Sequence, residues 1–121
     1  LCCSAALATI KYMLEHHVPE ECARKGEILK NGLLSLQGKY PEIISEVRGV
    51  GLMLAVEFHE TKLGYQVSKG MFKRRVLTAG TLVNAKTIRF EPSALITEED
   101  ISEVIERMDL ALACTKRVFN L

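Results

Sequence analysis

An arginine set among apolar, strand-favouring residues is the first place in this sequence where chemistry could be done. Arg89 stands in Thr87-Ile88-Arg89-Phe90-Glu91-Pro92, and a long cation in such a strand is costly unless it meets an anion. A guanidinium on a rigid strand can clamp a carboxylate through two parallel hydrogen bonds, a geometry lysine does not reproduce. The plainer reading is an edge-strand side chain in solvent or paired with Glu91, and on the residues alone that reading leads. Arg48 carries the same ambiguity, but the glycines of Arg48-Gly49-Val50-Gly51 favour a local backbone role. Gly49 and Gly51 could also open a phosphate-cradling loop. No third glycine and no following helix pattern complete it, so a hairpin turn is the better account.

The other reactive side chains form no site by spacing. Cys2, Cys3, Cys22 and Cys114 lack the paired intervals of zinc or redox motifs, and are expected to act as small buried hydrophobes. His16 and His17 fall at a helix end and, with His59, read as surface, so no metal is expected. There is no nucleophile elbow, no P-loop and no cluster of carboxylates.

These candidates must be positioned by a chain of 121 residues, enough for one ordinary domain core. Sixteen Lys and Arg against fifteen Asp and Glu leave a net charge of +1, which argues against a general nucleic-acid or anionic-membrane binder. No apolar run reaches the roughly 20 residues of a bilayer span and no signal peptide opens the chain, so a soluble, cytoplasmic protein is expected. The first residue is Leu1, already inside a helix pattern. The chain is therefore expected to be a piece of a longer one.

Cys3, Ala6, Leu7, Ile10, Met13 and Leu14 recur at helical spacing and predict an amphipathic helix over 2–17. After a break at Val18 and Pro19, Glu20 and Glu21 suit the start of a second helix with Cys22, Leu29, Leu33 and Leu36 on its stripe, ending near Tyr40 before Pro41. Strands are then predicted over 43–47 and 52–58, the second covered on both faces, around a turn at 48–51. Leu63, Val67, Met71 and Phe72 give a third helix closing on Lys73-Arg74-Arg75. Short strands at 76–78 and 87–90 flank a loop containing Gly80 and Asn84, and Pro92 ends the second. Thr97-Glu98-Glu99-Asp100 caps a long final helix carrying Ile101, Val104, Ile105, Met108 and Leu112. The order α-α-β-β-α-β-β-α predicts an α+β domain, a small antiparallel sheet with helices on one face.

Taken together, Leu1-Cys2-Cys3-Ser4-Ala5-Ala6-Leu7-Ala8, Val47-Arg48-Gly49-Val50-Gly51-Leu52-Met53 with the strand to Glu57, and Ile88-Arg89-Phe90-Glu91-Pro92 resemble the class III pyridoxal-phosphate aminotransferases in order and spacing. Within that class, Leu77-Thr78-Ala79-Gly80-Thr81-Leu82-Val83-Asn84-Ala85-Lys86-Thr87 looks most like the putrescine aminotransferases, with ornithine and other ω-aminotransferases more distant. The resemblance implies a fold-type I architecture in which residues 1–17 are the interdomain helix and 18–121 the C-terminal small domain. It implies a large domain elsewhere in the same polypeptide, bearing the cofactor lysine. None of the lysines here, such as Lys11 or Lys86, stands in a matching motif, so no catalytic or cofactor-binding residue is assigned and no pyridoxal phosphate is expected on this segment alone.

By position, Arg89 matches the family arginine that binds the α-carboxylate of glutamate or 2-oxoglutarate, which reverses the preference stated above. The Arg48–Met53 turn matches a structural signature. Relatives commonly carry two prolines after the acid, where this chain has Pro92 and Ser93. The implied parent is a homodimer or higher oligomer that moves an amino group from a diamine or other ω-amine to a 2-oxo acid, with the segment alone inactive. The competing expectations are a stand-alone α+β module that senses a carboxylate through Arg89, and an oligomerisation domain without a ligand.

Overall fold

The computed structural model describes residues 1–80, 84 and 86–121. The expected loop between Gly80 and Thr87, and with it the middle of the putrescine-aminotransferase-like stretch, falls largely on residues 81–83 and 85, outside the described ones. The elements run α1 (Cys2–Glu15), α2 (Val18–Lys39), β1 (Ile44–Val50), β2 (Met53–Phe58), α3 (Thr61–Lys73), β3 (Ala79–Gly80), β4 (Thr87–Phe90) and α4 (Glu98–Phe119). The strands form one antiparallel sheet in the order β1-β2-β4-β3. It is an α+β fold with the helical layer on one face. α2 lies along β1 and β2, α3 along β2 and β4, and α4 packs across both helices.

Side-chain alternation decides which face is covered. Leu54, Val56 and Phe58 of β2 and Ile88 and Phe90 of β4 point into a core shared with Leu29, Leu33, Met71, Met108 and Leu112 from the helices. The opposite residues of β2, namely Met53, Ala55 and Glu57, are exposed or half-buried. The expectation that β2 is covered on both faces is therefore corrected. Met53 and Ala55 are apolar without being core, and a sheet with helices on one side needs only every second residue to be buried.

The turn is also shorter than its glycines suggest. Val50 pairs with Met53, so the hairpin loop is Gly51 and Leu52 alone, with Gly51 at φ +53°, and Arg48 and Gly49 belong to β1. Gly49 sits within the ladder at φ +131°, where an added Cβ would lie 2.2 Å from the Met53 carbonyl oxygen. Its glycine is demanded by the strand, not by the turn. On the other side of the tip, a Cβ on Gly26 of α2 would fall 2.3 Å from the Gly51 backbone. Lys30 donates to the Gly49 carbonyl at 3.3 Å, so helix and hairpin tip meet backbone to backbone.

The strand expected at 76–78 is replaced by Ala79–Gly80. α3 ends in a six-to-one closure, with the N–H groups of Arg75 and Val76 donating to the carbonyls of Phe72 and Met71 and Arg75 at φ +61°. Residues up to Val76 thus finish the helix before any strand begins. Phe72, expected on the buried stripe, is exposed. α4 begins as its sequence demands, with Thr97 and Asp100 forming a reciprocal capping box. The end of α2 is tied to α4 through Asp109, which accepts from Lys39 Nζ at 2.7 Å and from the Tyr40 hydroxyl at 2.7 Å. Lys39 first, then Tyr40, holds the Asp109 carboxyl below the usual carboxylate range.

α1 stands apart. None of its residues is buried, it touches α2 alone among the elements, and its apolar stripe, including Leu7, Ile10 and Leu14, faces outward. α2 starts two residues earlier than expected, with Pro19 in its first turn, where the missing N–H costs nothing. His16 and His17 alone separate the two helices, His17 in the left-handed conformation.

Candidate functional site

The uncovered face of the sheet is where the charged candidates gather. Register places Arg48 opposite Ala55, Ala55 opposite Arg89, and Arg89 opposite Ala79. Two arginines therefore stand in one row across the sheet, two strand spacings or about 10 Å apart, with only alanines between and beside them. The next row holds Glu46, Glu57 and Thr87.

Directly opposed glutamates on neighbouring strands repel, and Arg48 resolves the conflict at Glu46 and Glu57. Its Nη1 lies 2.7 Å from Glu46 Oε2 and 2.8 Å from Glu57 Oε2. The Thr87 hydroxyl, buried within the sheet, donates to the same Glu57 oxygen at 3.4 Å. Glu57 principally, with Glu46 adding to it, raises the pKa of Arg48 above the ordinary arginine value. Arg48 is thus committed to a brace within the sheet, in keeping with a structural role.

Arg89 is placed differently. β4 is an inner strand, laddered to β2 on one side and β3 on the other, so the reading of Arg89 as an edge-strand residue is corrected. The pairing that makes β4 internal joins segments far apart in sequence. Its Nη1 lies 3.2 Å from Glu91 Oε1, with the two side chains 45% and 39% exposed. Both line a cleft of about 410 Å³ whose other walls include Leu29, Ile96, Ile101 and Val104. A cation fixed by two ladders, loosely engaged and open to solvent beside an apolar cleft, is chemically able to receive a carboxylate.

Downstream, Ser93 does the work of a turn. Its Oγ accepts from the Leu95 N–H at 3.2 Å and its carbonyl from the Ile96 N–H at 3.0 Å, so the exit of β4 is held by hydrogen bonds.

Sequence reasoning found Arg89 and Arg48 but missed Glu57 and Thr87 as partners in the brace. The signal existed in the alternation of Met53, Ala55 and Glu57, and becomes readable once the loop is confined to Gly51 and Leu52. The four cysteines are unpaired, Cys2 and Cys3 exposed and Cys22 and Cys114 half-buried, so the expectation of buried cysteines is corrected. Cys2 and Cys3 lie on α1, which buries nothing. His16 and His17 are exposed, and the likewise exposed His59 lies with its Nε2 2.9 Å from the Pro41 carbonyl. Among the described residues no group of His, Cys, Asp and Glu is arranged to hold a metal ion, and no helix is long and apolar enough to cross a membrane.

The model of the class III aminotransferase family matches residues 1–112. The chain belongs to the class III aminotransferases. Its fold is shared with a lysine aminotransferase from M. tuberculosis, at 22% identity and a TM-score of 0.83 over 88% of this chain and 24% of that one. A thermostable omega transaminase variant from Pseudomonas jessenii aligns at 24% identity and a TM-score of 0.81 over 93% and 26%. A transaminase described with L-ala aligns at 20% identity and 0.83 over 94% and 28%. The chain spans about a quarter of the length of these structures.

Pyridoxal phosphate, the cofactor the family implies, needs an amine to bond its aldehyde. The described lining of the Arg89 cleft includes no lysine. The residues present do not fit the cofactor by themselves.

Proposed function

We propose that this chain supplies the acid-binding small domain of a pyridoxal-phosphate aminotransferase that passes an amino group from a diamine or similar ω-amine to 2-oxoglutarate. Residues 1–17 serve as the interdomain helix and 18–121 as the small domain, working with a large domain of the same polypeptide in a homodimer or higher oligomer. Arg89 holds the α-carboxylate of the 2-oxo acid. The observation that carries this reading is the contrast between the two arginines of one row: Arg48 is locked between two glutamates, whereas Arg89 meets one half-exposed glutamate at 3.2 Å beside a cleft. The diamine preference rests on the likeness of residues 77–87 to putrescine aminotransferases. A stand-alone carboxylate sensor or a ligand-free oligomerisation domain is not favoured by a family match over nearly the whole chain.

The test is Arg89→Lys in the full-length enzyme. Charge is kept and the two-pronged geometry lost, and hydrogen bonds to charged groups are worth about 1.5–3 kcal/mol, so kcat/KM for 2-oxoglutarate should fall about 10- to 150-fold. Rapid mixing with the diamine alone isolates the other half-reaction, which should suffer far less. Equal slowing of both half-reactions, or an untouched 2-oxoglutarate step, would refute the assignment.

A further inference from the structure

The end of α3 leaves positive charge over. The Gly70 carbonyl accepts from Arg74 Nη1 at 3.0 Å, Met71 accepts from the N–H groups of Arg74 and Val76, and Phe72 from that of Arg75. The Arg74 carbonyl accepts from Arg107 Nη1 of α4 at 2.8 Å, and the same Arg107 pairs with Glu103. Among the described residues, the side chains of Lys73 and Arg75 meet no such partner. Basic residues at a helix C-terminus commonly serve its free carbonyls, but here other groups already do so.

Arg75 is also held against its own preference. Its φ of +61° is a left-handed position that glycine or asparagine fills with less strain, and such strain tends to persist where a side chain is used. Lys73, Arg74, Arg75 and Arg107 line, with Glu103 and Glu106, a concavity of about 420 Å³ between the end of α3 and α4. Four cations thus meet two carboxylates, one of them already engaged by Arg107. Arg74 and Arg107 are pinned by their carbonyl contacts, and none of the six lines the Arg89 cleft.

We propose that this concavity binds a phosphate-bearing anion, with Arg75 and Lys73 as the groups that grip it and Arg74 and Arg107 as fixed positive walls. Guanidinium forks match phosphate oxygens two at a time, and a lysine adds a movable point charge. Glu106 opposes the anion and limits its affinity.

The experiment is a calorimetric titration of inorganic pyrophosphate into the full-length enzyme with its pyridoxal phosphate bound, at constant ionic strength. The native protein should bind it saturably. Arg75→Gly should weaken binding about tenfold or more, the loss expected for a charge-assisted hydrogen bond. Its melting temperature without pyrophosphate should change little, because relief of strain offsets the added freedom of the unfolded chain. Arg75→Asn, which also accepts the left-handed position, replaces it if the glycine variant does not fold. Lys73→Gln should weaken binding about two- to fivefold and Glu106→Gln should tighten it by a similar factor, the range set by exposed charges. Lys62→Gln, which alters a cation in the first turn of α3 paired with Glu60, should leave binding unchanged. The proposal is overturned if the native enzyme shows no saturable binding, if the Arg75 and Lys73 variants bind as the native enzyme does, or if Lys62→Gln weakens binding as much as they do.

Discussion

Along β2, Leu54, Val56 and Phe58 are shut away from solvent, while Met53, Ala55 and Glu57 between them are exposed or half-buried. The same strands thus build two unlike surfaces. The helix-covered face is apolar and closely packed, and its residues are interchangeable only with others of similar volume. The open face is a pattern of charges, in which Arg48 is consumed by neighbouring glutamates and Arg89 is not. The difference teaches that the two-residue period of a strand separates a packed face from a charged one. Changes on one face should be read in melting and changes on the other in binding.

The largest effect should come from emptying the covered face. Phe58→Ala removes a ring that is 1% exposed and should cost about 3–5 kcal/mol, lowering Tm by about 10–20 °C in calorimetry. A loss under about 1 kcal/mol would mean that the core re-closes around the cavity and that the two faces differ less than described. On the open face, Glu57→Gln removes one of the two carboxylates at Arg48. Half-exposed pairs are worth about 0–1 kcal/mol, so the denaturant midpoint should shift only slightly, and the shift should shrink in high salt. A loss comparable to Phe58→Ala would show that the brace is part of the core after all.

The smallest effect on stability is expected from α1. Leu7→Glu combined with Ile10→Glu alters two side chains that are more than half exposed, so the melting of this chain should move by no more than about 0.5 kcal/mol. Light scattering should show the native chain self-associating through the apolar stripe and the variant shifting toward monomer. Monomers in both cases would show that the stripe does not hold copies of the chain together.

Features coded within a few residues were legible in the sequence: the stripes of α1 and α2, the stop before Pro41, and the Thr97–Asp100 cap of α4. Hairpin and β4 were legible as elements. Hidden was what depends on distant pairing. That Arg89 lies on an inner strand follows from β4 joining β2 and β3, which no local pattern states. Gly49 looked like a turn residue because positive φ is usually found in turns, yet it is used within a ladder. β3 was misplaced because the closure of α3 extends through Val76, even though arginine, not glycine, occupies the left-handed position. Residue type pointed to the two arginines of the open face, and register disclosed that Glu57 of the neighbouring strand falls to Arg48.

The tip of the β1–β2 hairpin has the outward marks of a permissive place for grafting: two loop residues, a glycine, and an exposed Val50 and Met53 beside it. Its contact with Gly26 reverses that judgement. With no room for even one carbon between α2 and the backbone of Gly51, the two glycines act as a single unit in any redesign. An inserted epitope, a lengthened loop or an alanine at Gly26 would have to prise the tip from the helix. A tag or label on this protein therefore belongs elsewhere.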